Sequence, residues 1–144
     1  MYMTKDTLAT LLAAPLVALF LYTCTSKYLD LADYVQSMKL QPLYPWLRTL
    51  VQYGLPPAEV VTALLLMWRR TRRIGFFISL GLMVSFTIYI GLGLAHVFPR
   101  VPCTCGGVFR QFSWKMHFYF NLFFIGVSLA GIRVTRPLRP RQLH

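Results

Sequence analysis

Four long runs of apolar residues divide this chain of 144 residues, and they constrain its fold more than any other feature. A helix crosses the hydrocarbon core of a bilayer with about 20 mostly apolar residues. Each run reaches that length, and only 13% of the residues are charged, against about 25% in soluble proteins. The sequence therefore predicts an all-α membrane protein, a four-helix bundle forming a single domain. The predicted spans are about 7–25, 46–68, 74–97 and 113–133.

The second span is the least regular of the four. It contains Pro56 and Pro57, which predict a kink, and then Glu59. A carboxyl group at membrane depth is a candidate functional group. The alternative is a structural role, in which Glu59 pairs with Arg48 or Arg100 near the interface.

Residues 26–40, between the first two spans, are amphipathic. This pattern predicts a short helix lying on the membrane surface. The apolar residues that recur at helical spacing are Tyr28, Leu31, Ala32, Val35 and Met38, and the polar ones on other faces include Lys27, Asp30 and Gln36.

The basic residues predict the orientation. They are densest in the loop between spans two and three, at Arg69, Arg70, Arg72 and Arg73. Because cytoplasmic loops are enriched in Lys and Arg, this loop and both termini are expected inside, with the loop 98–112 outside and a basic tail at 134–144. The first span is expected to stay uncleaved. The net charge of +11 then reflects topology and contact with anionic lipid, and nucleic acid is not an expected partner.

The three cysteines are expected on the outer side. Cys24 is placed at the outer end of the first span, and Cys103 and Cys105 in the outer loop, where disulfides are permitted. A disulfide across one intervening residue closes a small, strained ring that is easily reduced. Arg100 and Arg110 would favour the reactive thiolate. Thiol exchange is therefore the leading interpretation, and a structural or a metal-binding role remains open.

The fourth span carries a polar stripe. Trp114, His117 and Asn121 share one helical face, which is expected to point into the bundle. With Glu59, and with His96 at the end of the third span, they are candidates for binding a quinone, and His117 would deliver protons to it. The alternatives are a His–Asn pair that only packs the bundle, or a metal held by cysteines and histidines. No metal site is predicted, because Cys-x-Cys lacks the usual spacing of zinc ligands.

One group of residues supports a family resemblance. It comprises Pro102-Cys103-Thr104-Cys105-Gly106-Gly107, then Phe112-Ser113-Trp114, His117 and Asn121-Leu122-Phe123-Phe124. With these residues the chain resembles the MauE branch of the DoxX-like redox-associated membrane proteins. The resemblance implies a four-helix protein of the bacterial inner membrane. It also implies a link to the maturation of a disulfide-rich periplasmic subunit of methylamine dehydrogenase and, through distant relatives, to quinone-coupled oxidation.

Three functions follow as hypotheses. The first is an inner-membrane thiol–disulfide redox protein, in which Cys103 and Cys105 exchange with a periplasmic thiol protein, Cys24 resolves the intermediate and a quinone accepts electrons. The second is a non-catalytic subunit or assembly partner of a larger membrane complex. The third is a small proton-coupled transporter that uses Glu59.

Overall fold

The computed structural model describes residues 3–95, 97 and 113–137. Within these residues the chain forms five helices and no strand. The helices are α1 (Lys5–Leu29), α2 (Leu31–Lys39), α3 (Pro45–Met67), α4 (Arg72–Leu94) and α5 (Trp114–Val134). Among the described residues α1, α3, α4 and α5 are long and apolar enough to cross a membrane. The prediction of an all-α membrane protein with four spans is therefore confirmed.

The largest departure from the prediction concerns residues 26–40. α1 does not end near Thr25 but continues to Leu29, and α2 is a separate helix of nine residues. Lys27, expected on the polar face of a surface helix, instead lies in α1 and is 4% exposed. The apolar face expected for α2 is also wrong in part, since Tyr34 and Met38 are buried whereas Leu31 is exposed.

The four long helices form a ring in the order α1, α3, α4, α5, with α5 packed back on α1. Neighbouring helices are antiparallel. Arg72, at the start of α4, donates from Nη1 to Thr10 Oγ1 near the start of α1 (3.0 Å), and Arg73 donates to the Thr135 carbonyl just after α5 (3.2 Å). We call this end of the bundle the arginine end, and the opposite end, where α2 packs, the α2 end.

The most extensive interface joins α4 and α5. Small residues let these helices approach closely, as they do in many membrane bundles. The Ser79 and Ser128 hydroxyls share a buried hydrogen bond of 3.0 Å across it. Nearer the arginine end Gly131 lies against the ring of Phe76, which is fully buried.

Changing Gly131 to Ala should therefore destabilise the protein. A Cβ atom at this position would overlap the Phe76 ring, and overpacking of a filled core costs about 1–3 kcal/mol. Gly126→Ala is the matched control on the same helix, because its Cβ would meet nothing within 4 Å. There the higher helix propensity of Ala should raise stability slightly. Thermal unfolding in detergent checks both, and equal effects of the two variants would contradict the packing described here.

Candidate functional site

A cavity of about 330 Å³ opens inside the α2 end of the bundle. Its walls come from all five helices and are mainly apolar, and polar side chains gather in one region. The residues that line it are Leu19, Phe20, Thr23, Lys27, Tyr34, Met38, Gln41, Leu43, Leu47, Val51, Leu55, Glu59, Met83, Ser85, Phe86, Tyr89, Ile90, Trp114, His117, Phe120 and Asn121. An apolar pocket with a few convergent polar groups is the usual form of a small-molecule site.

The polar region is centred on a buried ion pair between α1 and α3. Lys27 Nζ lies 2.5 Å from Glu59 Oε1, and both side chains are almost completely buried. The sequence singled out Glu59 correctly as a residue inside the bundle, but its partner is Lys27 and not Arg48, whose guanidinium bonds to the Gln41 and Leu43 carbonyls. The other suggested partner, Arg100, lies outside the described residues. The second carboxylate oxygen, Oε2, is buried without a partner among the described residues. Charges of opposite sign attract strongly in a medium of low dielectric constant, which offsets part of the cost of burying both.

The proline pair in α3 connects this site to its neighbours. Pro56 has no N–H to donate to the Gln52 carbonyl four residues earlier. The freed carbonyl accepts a hydrogen bond from the Tyr34 hydroxyl of α2 instead, at 3.3 Å. α3 stays a single helix through Pro56 and Pro57. The carbonyl that the prolines leave free therefore anchors α2 over the cavity.

The segment between α2 and α3 closes the cavity toward the α2 end. Gln41 is 3% exposed, and its Oε1 accepts a hydrogen bond from the Tyr89 hydroxyl of α4. Arg48 Nη2 donates to the carbonyls of Gln41 and Leu43, each at 3.2 Å. These bonds tie the segment to α3 and α4 together.

The α5 wall carries the predicted stripe. Ser113 caps the helix by accepting a hydrogen bond from the Met116 N–H, which stabilises its first turn. His117 and Asn121 are buried, at 6% and 4% exposure, and Trp114 is half-buried against Gly93 of α4. Asn121 Nδ2 is buried and has no hydrogen-bond partner among the described residues. A buried amide donor without a partner costs free energy, so this atom marks a place for a ligand acceptor.

Cys24 lies deeper than expected. It is inside α1, one turn before Lys27 and 5% exposed, and its Sγ donates to the Pro56 carbonyl at 3.7 Å. It does not belong to the cavity lining. Cys103, Cys105 and His96 lie outside the described residues, as does the whole of the loop 98–112. The described residues on either side of this segment are Val97, after α4, and Ser113, before α5. The end of α4 and the start of α5 are both at the α2 end.

The sequence left two ligand types open, a metal ion and a quinone. Within residues 3–95, 97 and 113–137 no group of three His, Cys, Asp or Glu side chains could hold a metal ion. A quinone fits the described residues better, because its ring would lie among Phe86, Trp114 and Phe120 and a carbonyl oxygen would accept from Asn121. When bound, a quinone supplies an acceptor for two electrons and two protons.

Sequence reasoning predicted four members of this site and missed others. Glu59, Trp114, His117 and Asn121 were expected, and the structure brings all of them to one cavity. Lys27 was missed, although Phe20, Cys24 and Lys27 continue one buried stripe at spacings of four and three. Contacts between distant segments bring Tyr34, Gln41 and Tyr89 to the cavity. No spacing pattern in the sequence indicates these contacts.

The fold and the cavity define a multi-pass membrane protein with a mainly apolar internal cavity at one end of its helix bundle. The chain belongs to the MauE family, since the family model described as methylamine utilisation protein MauE matches residues 5–134. No match to the chain was found among curated proteins or among solved structures.

Proposed function

We propose that this protein is a thiol–disulfide redox protein of the bacterial inner membrane, with Cys103 and Cys105 as the exchanging pair and a quinone as the electron acceptor. The observation that carries the proposal is the cavity itself. It collects Glu59, His117 and Asn121 at the end of the bundle to which the cysteine loop is joined.

The proposed cycle has two steps, reduction of the Cys103–Cys105 disulfide and its re-formation. In the first, a dithiol of a periplasmic protein reduces the Cys103–Cys105 disulfide and becomes a disulfide itself. In the second, the two cysteine thiols form their disulfide again, and their two electrons and two protons pass to the quinone, which leaves as a quinol. A protein that brings about formation of disulfides in periplasmic proteins suits the family's association with methylamine utilisation.

The described residues have separate roles in the second step. Asn121 holds a carbonyl oxygen of the acceptor, and the apolar walls exclude water. His117 delivers protons, because an imidazole ring carries both a hydrogen-bond donor and an acceptor nitrogen. The Lys27–Glu59 pair keeps a proton donor and a proton acceptor together in a dry cavity.

The orientation is part of the proposal. The arginine end, with exposed Arg69 and Arg70, would face the cytoplasm, and both termini would lie there. The α2 end and its cysteine loop would then face the periplasm, where client proteins with disulfides are found.

Cysteine variants test the proposal. In membranes, wild-type Cys103 and Cys105 should change between reduced and oxidised forms on addition of a quinone, followed by alkylation and mass shift. Changing either cysteine alone to Ala should trap a mixed disulfide with a client. The double change Cys103→Ser, Cys105→Ser should reduce quinone-dependent oxidation of a client dithiol to background. Cys24→Ser is the third variant, and accumulation of a mixed disulfide in it would give Cys24 the resolving role.

Two results would contradict the proposal. If both loop cysteines stay reduced and unreactive in native membranes, no exchange takes place. If the double serine variant keeps full function in cells and co-purifies with a large complex, the protein is instead a non-catalytic assembly partner.

A further inference from the structure

We infer that the cavity takes its ligand sideways from the bilayer, through a mouth between the outer halves of α3 and α4, and that the ligand is an isoprenoid quinone whose tail stays in that mouth. The inference rests on the proposed function for the identity of the head group. The walls of the cavity alone indicate the route of entry and the position of the tail.

The exposure of the lining residues changes across the cavity. Lys27, Glu59, His117 and Asn121 are buried. The lining residues of α3 other than Glu59, which are Leu47, Val51 and Leu55, are half-buried, and Ser85 of α4 is exposed. A residue that lines a cavity and is also exposed stands at its opening. The opening is therefore on the side of α3 and α4, within the apolar spans.

The shape of α3 supports this route. Leu47, Val51, Leu55 and Glu59 follow each other at intervals of four residues and form one stripe of the helix. This stripe is about 18 Å long at 1.5 Å per residue. The stripe runs along apolar side chains from the mouth to the Glu59 carboxylate. A molecule with a polar head and an apolar tail could enter along it.

The tail must remain outside the cavity for reasons of size. A volume of about 330 Å³ is at the lower end of the usual range for small-molecule sites, about 300–1,000 Å³. It accommodates a ring-sized head group but not a long isoprenoid chain as well. A bulky side chain at the mouth should therefore exclude ligands that have a tail and still admit the head group alone.

The head group is assigned by the unpartnered amide. Asn121 lines the cavity, and its buried Nδ2 has no partner among the described residues. A quinone carbonyl would supply the acceptor for this donor. The Lys27–Glu59 pair lies in the same polar region and would meet the same end of the ligand.

Ser85→Trp tests the mouth. Ser85 is exposed, and among the described residues its hydroxyl hydrogen-bonds within its own helix, to the Gly81 carbonyl, so the change should not disturb the fold. Binding of two probes is measured in nanodiscs by extraction and chromatography. They are a long-tailed isoprenoid quinone and the same head group without a tail. Ser85→Trp should weaken binding of the tailed probe at least tenfold and leave the tail-less probe within about twofold. Val51→Trp closes the mouth from α3 and should behave alike.

Two further variants complete the design. Ile88→Trp is the control, since Ile88 is exposed on α4 and does not line the cavity; it should bind both probes as the wild type does. Asn121→Leu removes the donor and should weaken both probes equally. Equal loss of both probes in Ser85→Trp, or no loss of either, would overturn the inference about the mouth.

All binding measurements are made in the Cys103→Ser, Cys105→Ser background. Failure of thiol exchange therefore cannot imitate failure of binding. A protein that binds neither probe refutes the quinone site, whereas one that binds the tailed probe but never oxidises a client refutes only the proposed redox activity.

Discussion

Changing Lys27 to Met should destabilise the protein by about 3–5 kcal/mol, the usual cost of removing one partner of a buried ion pair. Glu59 would then be left 1% exposed without the ammonium group that now lies 2.5 Å from its Oε1. Glu59→Leu should be comparably harmful, because it leaves the Lys27 charge buried alone. Thermal unfolding in detergent measures both effects.

The double change Lys27→Met, Glu59→Leu separates stability from function. Replacing a buried ion pair with apolar residues of similar size is often neutral for stability, so the double variant should unfold near the wild-type temperature. Its quinone-dependent reoxidation of Cys103 and Cys105 should nevertheless fall about a hundredfold, the order expected when positioned proton-transfer groups are lost. If the double variant is stable and fully active, the pair only holds α1 to α3. If Lys27→Met alone is as stable as the wild type, the pair contributes nothing to the fold.

The four spans could be predicted because a bilayer accepts few structures. Backbone groups in lipid must bond within their own segment, so each long apolar run has to be a helix. The same reasoning placed Trp114, His117 and Asn121 inside the bundle, since a polar stripe on a span avoids lipid. These predictions depend on spacing within one helix, and the structure confirms the burial of His117 and Asn121.

The missed features depend on contacts between helices. Lys27 follows Thr25 and Ser26, and a polar group of that kind resembles the end of a span. Only the position of Glu59 on the facing helix makes burial of Lys27 favourable, and the fold alone brings residues 27 and 59 together. In the same way Tyr34 faces the bundle, whereas Leu31 does not. Pro56 leaves the Gln52 carbonyl free, and this carbonyl accepts a hydrogen bond from the Tyr34 hydroxyl.

From the sequence, the arginines between spans two and three indicated only the topology, but Arg72 has a second role. Its side chain is 7% exposed, and its Nε donates to the Leu66 carbonyl at 2.9 Å. Other nitrogens of the guanidinium group reach Thr10 Oγ1 at 3.0 Å and the Met67 carbonyl at 3.5 Å. A cation at the carboxyl end of a helix also complements the helix dipole. Arg72 therefore closes the end of α3 and joins it to α1.

Arg72→Leu should lower the free energy of unfolding by about 3 kcal/mol, because charged hydrogen bonds are lost and buried carbonyls are left without donors. Arg70→Leu is the matched control, since Arg70 is exposed two residues earlier, in the turn before α4. Each variant removes one positive charge from the same end of the bundle, so any effect on membrane orientation should be the same in both. Thermal unfolding and a reporter fused to the carboxyl terminus measure the two properties separately. A large loss of stability in Arg72→Leu alone, with unchanged orientation in both, would show that Arg72 stabilises the bundle directly. If the two variants are equally stable, Arg72 contributes to the protein only through its positive charge.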